Sequence, residues 1–250
     1  MVILQSLNHI PEHHDRCSNH SSRNIDRSAS ELQEVVGFSD KSIIGKFAKS
    51  SPASANKVAV ACSGGKVYVF DMASKNSYKL FDSSQSSPAE VVDLEWDTLS
   101  SQYLLIAYDH WMQLWDATSS YSLIQSFDRQ STKVTSICWL DWAPGSFLSA
   151  NEKTGILKMW NASSKAPMDS IRVTTGGVLS MQAVPNSKLI LLAGADGSFQ
   201  VFHVEHKHVE FKTCTSHSET IFCCAFCPTS SESFATVIDD LALDSFTHIQ

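Results

Sequence analysis

The sequence lacks what a membrane span, a nucleic-acid binder or a disulfide scaffold requires. No apolar stretch approaches the ~20 residues that cross a bilayer. The opening MVILQSLNHIPEHHDRC holds an apolar run far shorter than a signal-peptide core. An intracellular chain, cytoplasmic or nuclear, is therefore expected. Positive charge is scarce, with 19 Lys and Arg against 26 Asp and Glu and a formal net charge of −7. Such a chain has no field to draw a phosphate backbone or an anionic leaflet, so neither nucleic acid nor membrane is expected as a partner. The seven cysteines are odd in number and several sit inside apolar runs, which fits reduced thiols better than a disulfide framework. No long stretch follows the helical period, and no G-x-S-x-G nucleophile elbow occurs. With 43% hydrophobic and 18% charged residues, the chain can still bury a sizeable core.

What is present is a repeat. Residues 1–31, carrying His9, His13, His14 and His20 among Ser, Asn, Asp and Arg, read as a flexible polar tail. The spacings there are too loose to indicate a zinc site with Cys17. From about residue 42, apolar runs of five to eight residues alternate with Ser, Gly, Asn, Pro and Lys clusters, an all-β signature. Four aromatic–polar pairs close similar strands: Phe70-Asp71, Trp115-Asp116, Trp160-Asn161 and Phe202-His203, spaced by 45, 45 and 42 residues. Phe246-Thr247 follows 44 residues later. Four strands per period of this length is the pattern of propeller blades. Blades are expected at about 42–82, 91–128, 134–174 and 178–215, with an incomplete one over 220–250, in one domain spanning 32–250. The fold expected is an all-β β-propeller of about four full blades plus a truncated fifth, an incomplete propeller. Runs such as YLLIA (103–107) and LILLA (189–193) suit strands covered on both faces, whereas SLIQSF (122–127) alternates as an outer strand does. Open blade edges make self-association an expected property.

With Trp115-Asp116 and Trp160-Asn161 closing third strands and His217 preceding a first strand, the chain resembles the WD-repeat family. The segments VVDLEWDTLSSQYLLIAYDH (91–110), GILKMWNASSKAPMDSIRV (155–173) and HSETIFCCAFCP (217–228) resemble the first propeller of the WD repeat-containing protein seventeen family. That resemblance covers roughly residues 55–240 and implies a partial or alternatively terminated version of a longer chain. In the WD family the closing Trp, a second-strand Ser or Thr, a turn Asp and the His of a Gly-His pair form a buried polar network. Here only Asp109, Asp196 and His217 stand at matching polar positions, so the network is expected to be absent from most blades. The resemblance also implies that partners dock on the turns between second and third strands. Those turns carry Asp109, His110, Glu152, Lys153 and Asp196, and Trp111 beside them is the aromatic expected to reach a partner.

The function this implies is a non-enzymatic protein-interaction scaffold without cofactor, catalytic residues or metal, whose partners are other proteins. A ubiquitin-ligase substrate receptor is the first alternative, but it would place Arg where Thr118 and Ser163 stand. A propeller enzyme is the second, and no carboxylate or metal constellation supports it. Cys224 and Cys227, three apart on a strand, face opposite ways and cannot both ligate a metal without a bulge, so with Cys223 they read as buried small strand residues. His206 and His208 share a strand face, with His203 nearby, and read as a solvated edge.

Overall fold

A computed structural model describes residues 45–52, 56–80, 89–100, 102–184, 186–213, 220–227, 230–238 and 247–248. Within them the chain alternates strand and turn, interrupted by one short 3-10 turn, Ser63–Gly65. The strands fall into five meanders. The first is β1 (Gly45–Ser50), β2 (Lys57–Cys62), β3 (Val67–Asp71) and β4 (Asn76–Leu80), and the second is β5 (Val91–Trp96), β6 (Tyr103–Tyr108), β7 (Met112–Asp116) and β8 (Leu123–Ser126). The third is β9 (Val134–Trp139), β10 (Ser146–Asn151), β11 (Ile156–Asn161) and β12 (Asp169–Arg172). The fourth is β13 (Val178–Ala183), β14 (Leu189–Gly194), β15 (Phe199–His203) and β16 (His208–Thr213). The fifth has three strands, β17 (Ile221–Cys227), β18 (Ser230–Ile238) and β19 (Thr247–His248).

The chain divides into two compact units, 1–91 and 92–250. In the first unit Val60, Cys62 and Phe70 form a buried cluster with Ala48, Val58 and Tyr68 against it. Gly65 closes the turn before β3 at φ +71°, and a Cβ there would lie 2.0 Å from the carbonyl oxygen of Ala89. No side-chain-bearing residue fits that approach.

In the second unit successive sheets stack face to face, and strand alternation decides which neighbour each side chain meets. Ile137, Trp139, Phe147 and Trp160 of the third sheet pack with Leu105, Ala107, Leu114 and Phe127 of the second. From the opposite face Cys138, Leu148, Ala150 and Ile171 pack with Val178, Met181, Ile190 and Phe202 of the fourth. Leu191, Ala193 and Val201 then pack with Ile221 and Cys224 of the fifth. Being covered on both faces, β10 is buried at every position, as is β14 after Leu189, whereas β8 has no fully buried residue. Close packing of this kind makes each interface sensitive to the loss of a single large side chain.

The first strands carry a departure from simple alternation. Pairing with the second strand slips by one residue near the start of β9, β13 and β17. A bulge of this type leaves one residue unpaired and re-aims the next. Buried apolar residues therefore recur three apart instead of two, as in Val91 and Leu94, Val134 and Ile137, Val178 and Met181, and Ile221 and Cys224. The third residue of each strand turns toward the next blade. Asp93 Oδ2 accepts hydrogen bonds from the Ile137 amide at 3.0 Å and the Ser136 hydroxyl at 3.1 Å. Ser136 Oγ accepts from the Met181 amide, and Ser180 Oγ from the Cys224 amide, each at 3.3 Å. Polar side chains 43 or 44 residues apart thus stitch four neighbouring first strands in series.

Candidate functional site

The aromatic–polar pairs separate into two jobs. The aromatic members are core: Phe70, Trp115, Trp160 and Phe202 are all buried, Trp160 at 1% exposure. The polar members cap the turn between third and fourth strands. Asp71 Oδ1 accepts from the amides of Ala73 and Ser74, and Asn161 Oδ1 from the amide and hydroxyl of Ser163. His203 Nδ1 accepts from the His206 amide at 3.2 Å. Asp116 is the most heavily bonded: its Oδ1 accepts the amides of Thr118 at 3.0 Å and Ser119 at 2.9 Å, and its Oδ2 the hydroxyls of Ser119 and Ser120. Burial pushes the Asp116 carboxyl up, but these hydrogen bonds outweigh it and hold the group well below the usual carboxylate range. Short-range competition between side chain and backbone makes Asp and Asn suited to this position.

A buried polar network forms around Trp160. Trp160 Nε1 donates to Ser149 Oγ at 3.0 Å, and Gln130 Nε2 donates to the same oxygen at 3.5 Å. Gln130 stands four residues before β9, as His217 stands four residues before β17. Histidine is the residue that the family resemblance points to at that place, and in this blade Gln130 takes its part. His217 itself lies outside the described residues, as do His9, His13, His14 and His20.

The turns between second and third strands are fastened to the linkers that lead into the following blade. Gln130 N donates to His110 O and Val134 N to Asp109 O, both at 2.7 Å, while His110 Nδ1 lies 3.1 Å from Gln130 O. Lys133 Nζ stands 3.9 Å from Asp109 Oδ1. In the next blade Val173 N donates to Gly155 O at 2.8 Å, and a Cβ on Gly177 would lie 1.9 Å from Glu152 O. Ala195 N donates to Gly177 O at 3.1 Å, and Thr220 Oγ1 donates to Ala195 O at 3.1 Å. The result is a rim of turn and linker held by main-chain bonds.

On this rim Glu152, Lys153 and Asp196 are exposed and Asp109 and His110 half-buried. Asp196 also organises its own turn, accepting from the Ser198 amide and hydroxyl. Asn151, which the sequence reading did not single out, does the same for the Glu152-Lys153 turn through the amides of Lys153 and Thr154. Trp111 is not laid open to a partner: it is 7% exposed, stacked on Tyr108 at 5.0 Å and covered by the Arg129 guanidinium 4.6 Å from its ring centroid. Arg129, one residue before Gln130, is the exposed member of that stack.

The cysteines correct one expectation. Cys138 and Cys224 are buried, but Cys223 is exposed. The bulge in β17 puts Cys224, not Cys223, on the face of Ile221. Burial pushes the Cys224 thiol up to about 12, with the Ser180 hydroxyl bond opposing the shift and the neighbouring Cys223 adding to it. Iodoacetamide applied to the native protein near neutral pH should therefore label Cys223 and leave Cys138 and Cys224 untouched, as read by peptide mass spectrometry. Rapid labelling of Cys224 would contradict the bulged register.

The β15–β16 hairpin gathers His203, His206 and His208, with ring centroids 4.2 to 5.9 Å apart. His208 Nε2 lies 2.8 Å from Glu210 Oε1. Among the described residues no group of three His, Cys, Asp or Glu is placed to hold a metal ion, and no helix is long and apolar enough to cross a membrane.

Four-stranded antiparallel meanders and a three-stranded fifth, with the second to fifth stacked face to face and stitched through their first strands, define an all-β fold of the WD-type β-propeller class. No protein-family model matches the chain. Among solved structures it is similar to a chain in a crystal structure of the mitotic checkpoint complex, with a TM-score of 0.65 and 17% sequence identity, covering 78% of this chain. This chain spans about 60% of the length of that one.

Proposed function

We propose that this protein is a non-enzymatic interaction scaffold that docks other proteins on the rim formed by its second-to-third-strand turns and blade linkers. The observation that carries the reading is the rigidity of that rim. Turn and linker are bound to each other by main-chain hydrogen bonds at Asp109, His110, Gly155 and Ala195, so exposed Glu152, Lys153 and Asp196 are held on fixed backbone. Binding residues carried on loops fixed to a rigid scaffold lose little entropy on association. The similarity to a chain of a multi-protein checkpoint complex supports the same reading at the level of fold. Kinship with the WD repeat-containing protein seventeen family is the finer assignment, supported by segments 91–110 and 155–173.

The test is affinity purification of the full chain, wild type against Glu152→Lys/Lys153→Glu, with partners quantified by mass spectrometry. Charge reversal on the rim should remove a defined set of partners, whereas Lys75→Glu, on a third-to-fourth-strand turn, should retain them. Equal recovery with both variants would count against the rim. Stoichiometric turnover of a hydrolase substrate by the purified protein would count against the scaffold.

A further inference from the structure

The Arg129 stack carries an inference that rests on the scaffold reading and names the chemistry of a partner. Arg129 lies in the linker between β8 and β9, and its guanidinium covers the Trp111 ring at 4.6 Å while Trp111 stacks on Tyr108. Trp111 and Tyr108 are buried, so the platform is part of the packed rim rather than a loose surface contact. The linker cannot swing away, because Gln130 N, His110 Nδ1 and Val134 N tie it to the Asp109-His110-Trp111 turn on both sides. Among the described residues Arg129 has no hydrogen-bond or ion-pair partner, although the exposed carboxylate of Asp128 is its neighbour in sequence. A guanidinium resting over an aromatic ring, with no hydrogen-bond partner of its own, has N–H groups left for an incoming ligand, and its fork matches a carboxylate.

One further cation belongs to the same linker, and a histidine side chain lies beneath it. Lys133 is exposed at the far end of the linker, with Asp109 at 3.9 Å, and His110 is half-buried beneath the linker main chain. Lys133 already faces Asp109, so Arg129 is the cation of this linker left without a carboxylate partner among the described residues, on a protein whose formal net charge is −7. A neutral or basic partner would leave Arg129 unmatched, and an acidic one pairs with it while being repelled by the rest of the surface, which favours a single orientation.

We infer that the Arg129–Trp111–Tyr108 stack is the anchor of a docking site for an acidic segment of a partner protein, its glutamate or aspartate carboxylate held bidentately by Arg129 with Lys133 alongside. The stack fixes the cation before binding, so the rotamer entropy that an ordinary surface arginine loses on association is already largely spent.

The experiment uses the full chain and a fluorescently labelled polyglutamate peptide, read by anisotropy, with polyglutamine of equal length as control. Polyglutamate should bind and polyglutamine should not, and binding should weaken as salt rises. Arg129→Ala should weaken polyglutamate binding by about tenfold or more, as expected for loss of an anchoring charge-assisted pair. Arg129→Lys keeps the charge without the planar fork, and should still lose severalfold. Lys188→Ala, which makes the same change in net charge on the turn between β13 and β14 and away from the stack, should leave affinity unchanged. Because Arg129 is exposed, these variants should fold as wild type does. The inference is overturned by absence of polyglutamate binding, by equal binding of polyglutamine, by an unaffected Arg129→Ala, or by an equal loss in Lys188→Ala. Since this assay reads Arg129 directly and partner recovery reads the Glu152-Lys153 turn, a failure of the acidic site and a failure of the scaffold reading give different patterns.

Discussion

Trp160→Ala should destabilise the protein by about 3–5 kcal/mol, the range for truncating a large, fully packed aromatic. Trp160 is 1% exposed and sits in the interface between the second and third sheets, 5.8 Å from the Phe127 ring and 6.2 Å from Phe147, centroid to centroid. Its removal opens a cavity that two rigid sheets cannot close, and it also leaves Ser149 without the indole donor. Trp160→Phe separates the two effects. It keeps most of the ring volume and loses the hydrogen bond, with Gln130 still donating to Ser149, so a cost of roughly 1–2 kcal/mol is expected. Chemical denaturation combined with hydrogen exchange across β9–β12 would measure both. A cost below ~1 kcal/mol for the alanine variant would place Trp160 outside the core and sink the blade register.

That the aromatic closers are core was legible from their spacing alone, because a period near 45 residues with strand-length apolar runs admits few architectures. The same spacing could not show the bulges. Val134 and Ile137, or Val178 and Met181, look out of phase for a strand, and nothing local marks Thr135 or Leu179 as the residue to be left unpaired. The unpaired residue is chosen by the neighbouring blade, whose Asp93, Ser136 or Ser180 oxygen is waiting for the amide that the bulge exposes. Regular alternation along an innermost strand would put Cys223 on the face of Ile221, whereas the bulge gives that place to Cys224 and leaves Cys223 exposed. Trp111 failed for a related reason. Its place at a loop-to-strand junction indicated exposure, but the residues that cover it are Tyr108 at the end of β6 and Arg129 two strands further on. Gln130 was missed because a histidine was sought where any side chain able to donate to Ser149 would serve. At the bulges, at Trp111 and at Ser149 alike, a residue from another strand or another blade takes part in deciding the outcome.

The polar member of the second aromatic–polar pair makes the other large effect, and one with a pH signature. Asp116→Ala should cost about 2–3 kcal/mol near neutral pH, because the amides of Thr118 and Ser119 and the hydroxyls of Ser119 and Ser120 lose an ionised acceptor together. The turn lies at the surface and water can reach the freed donors, so the cost is less than the sum of separate bonds. Asp116→Asn should cost about 1 kcal/mol, since Asn161 shows that an amide can cap the equivalent turn through its Oδ1. The two variants differ from wild type in how they respond to acid. Hydrogen bonding holds the Asp116 carboxyl below its ordinary value in the folded protein, so the unfolded chain takes up this proton first as pH falls. The stabilisation is therefore complete above the ordinary carboxylate value and declines as pH drops from there toward the folded one. The gap between wild type and Asp116→Asn should stay constant from pH ~7 to about 5 and then narrow steadily toward pH ~3. Urea midpoints at matched ionic strength would follow it. A gap that holds its full size down to about pH 3 would mean that the folded and unfolded chains protonate Asp116 together, and that the turn is not held by an ionised carboxylate.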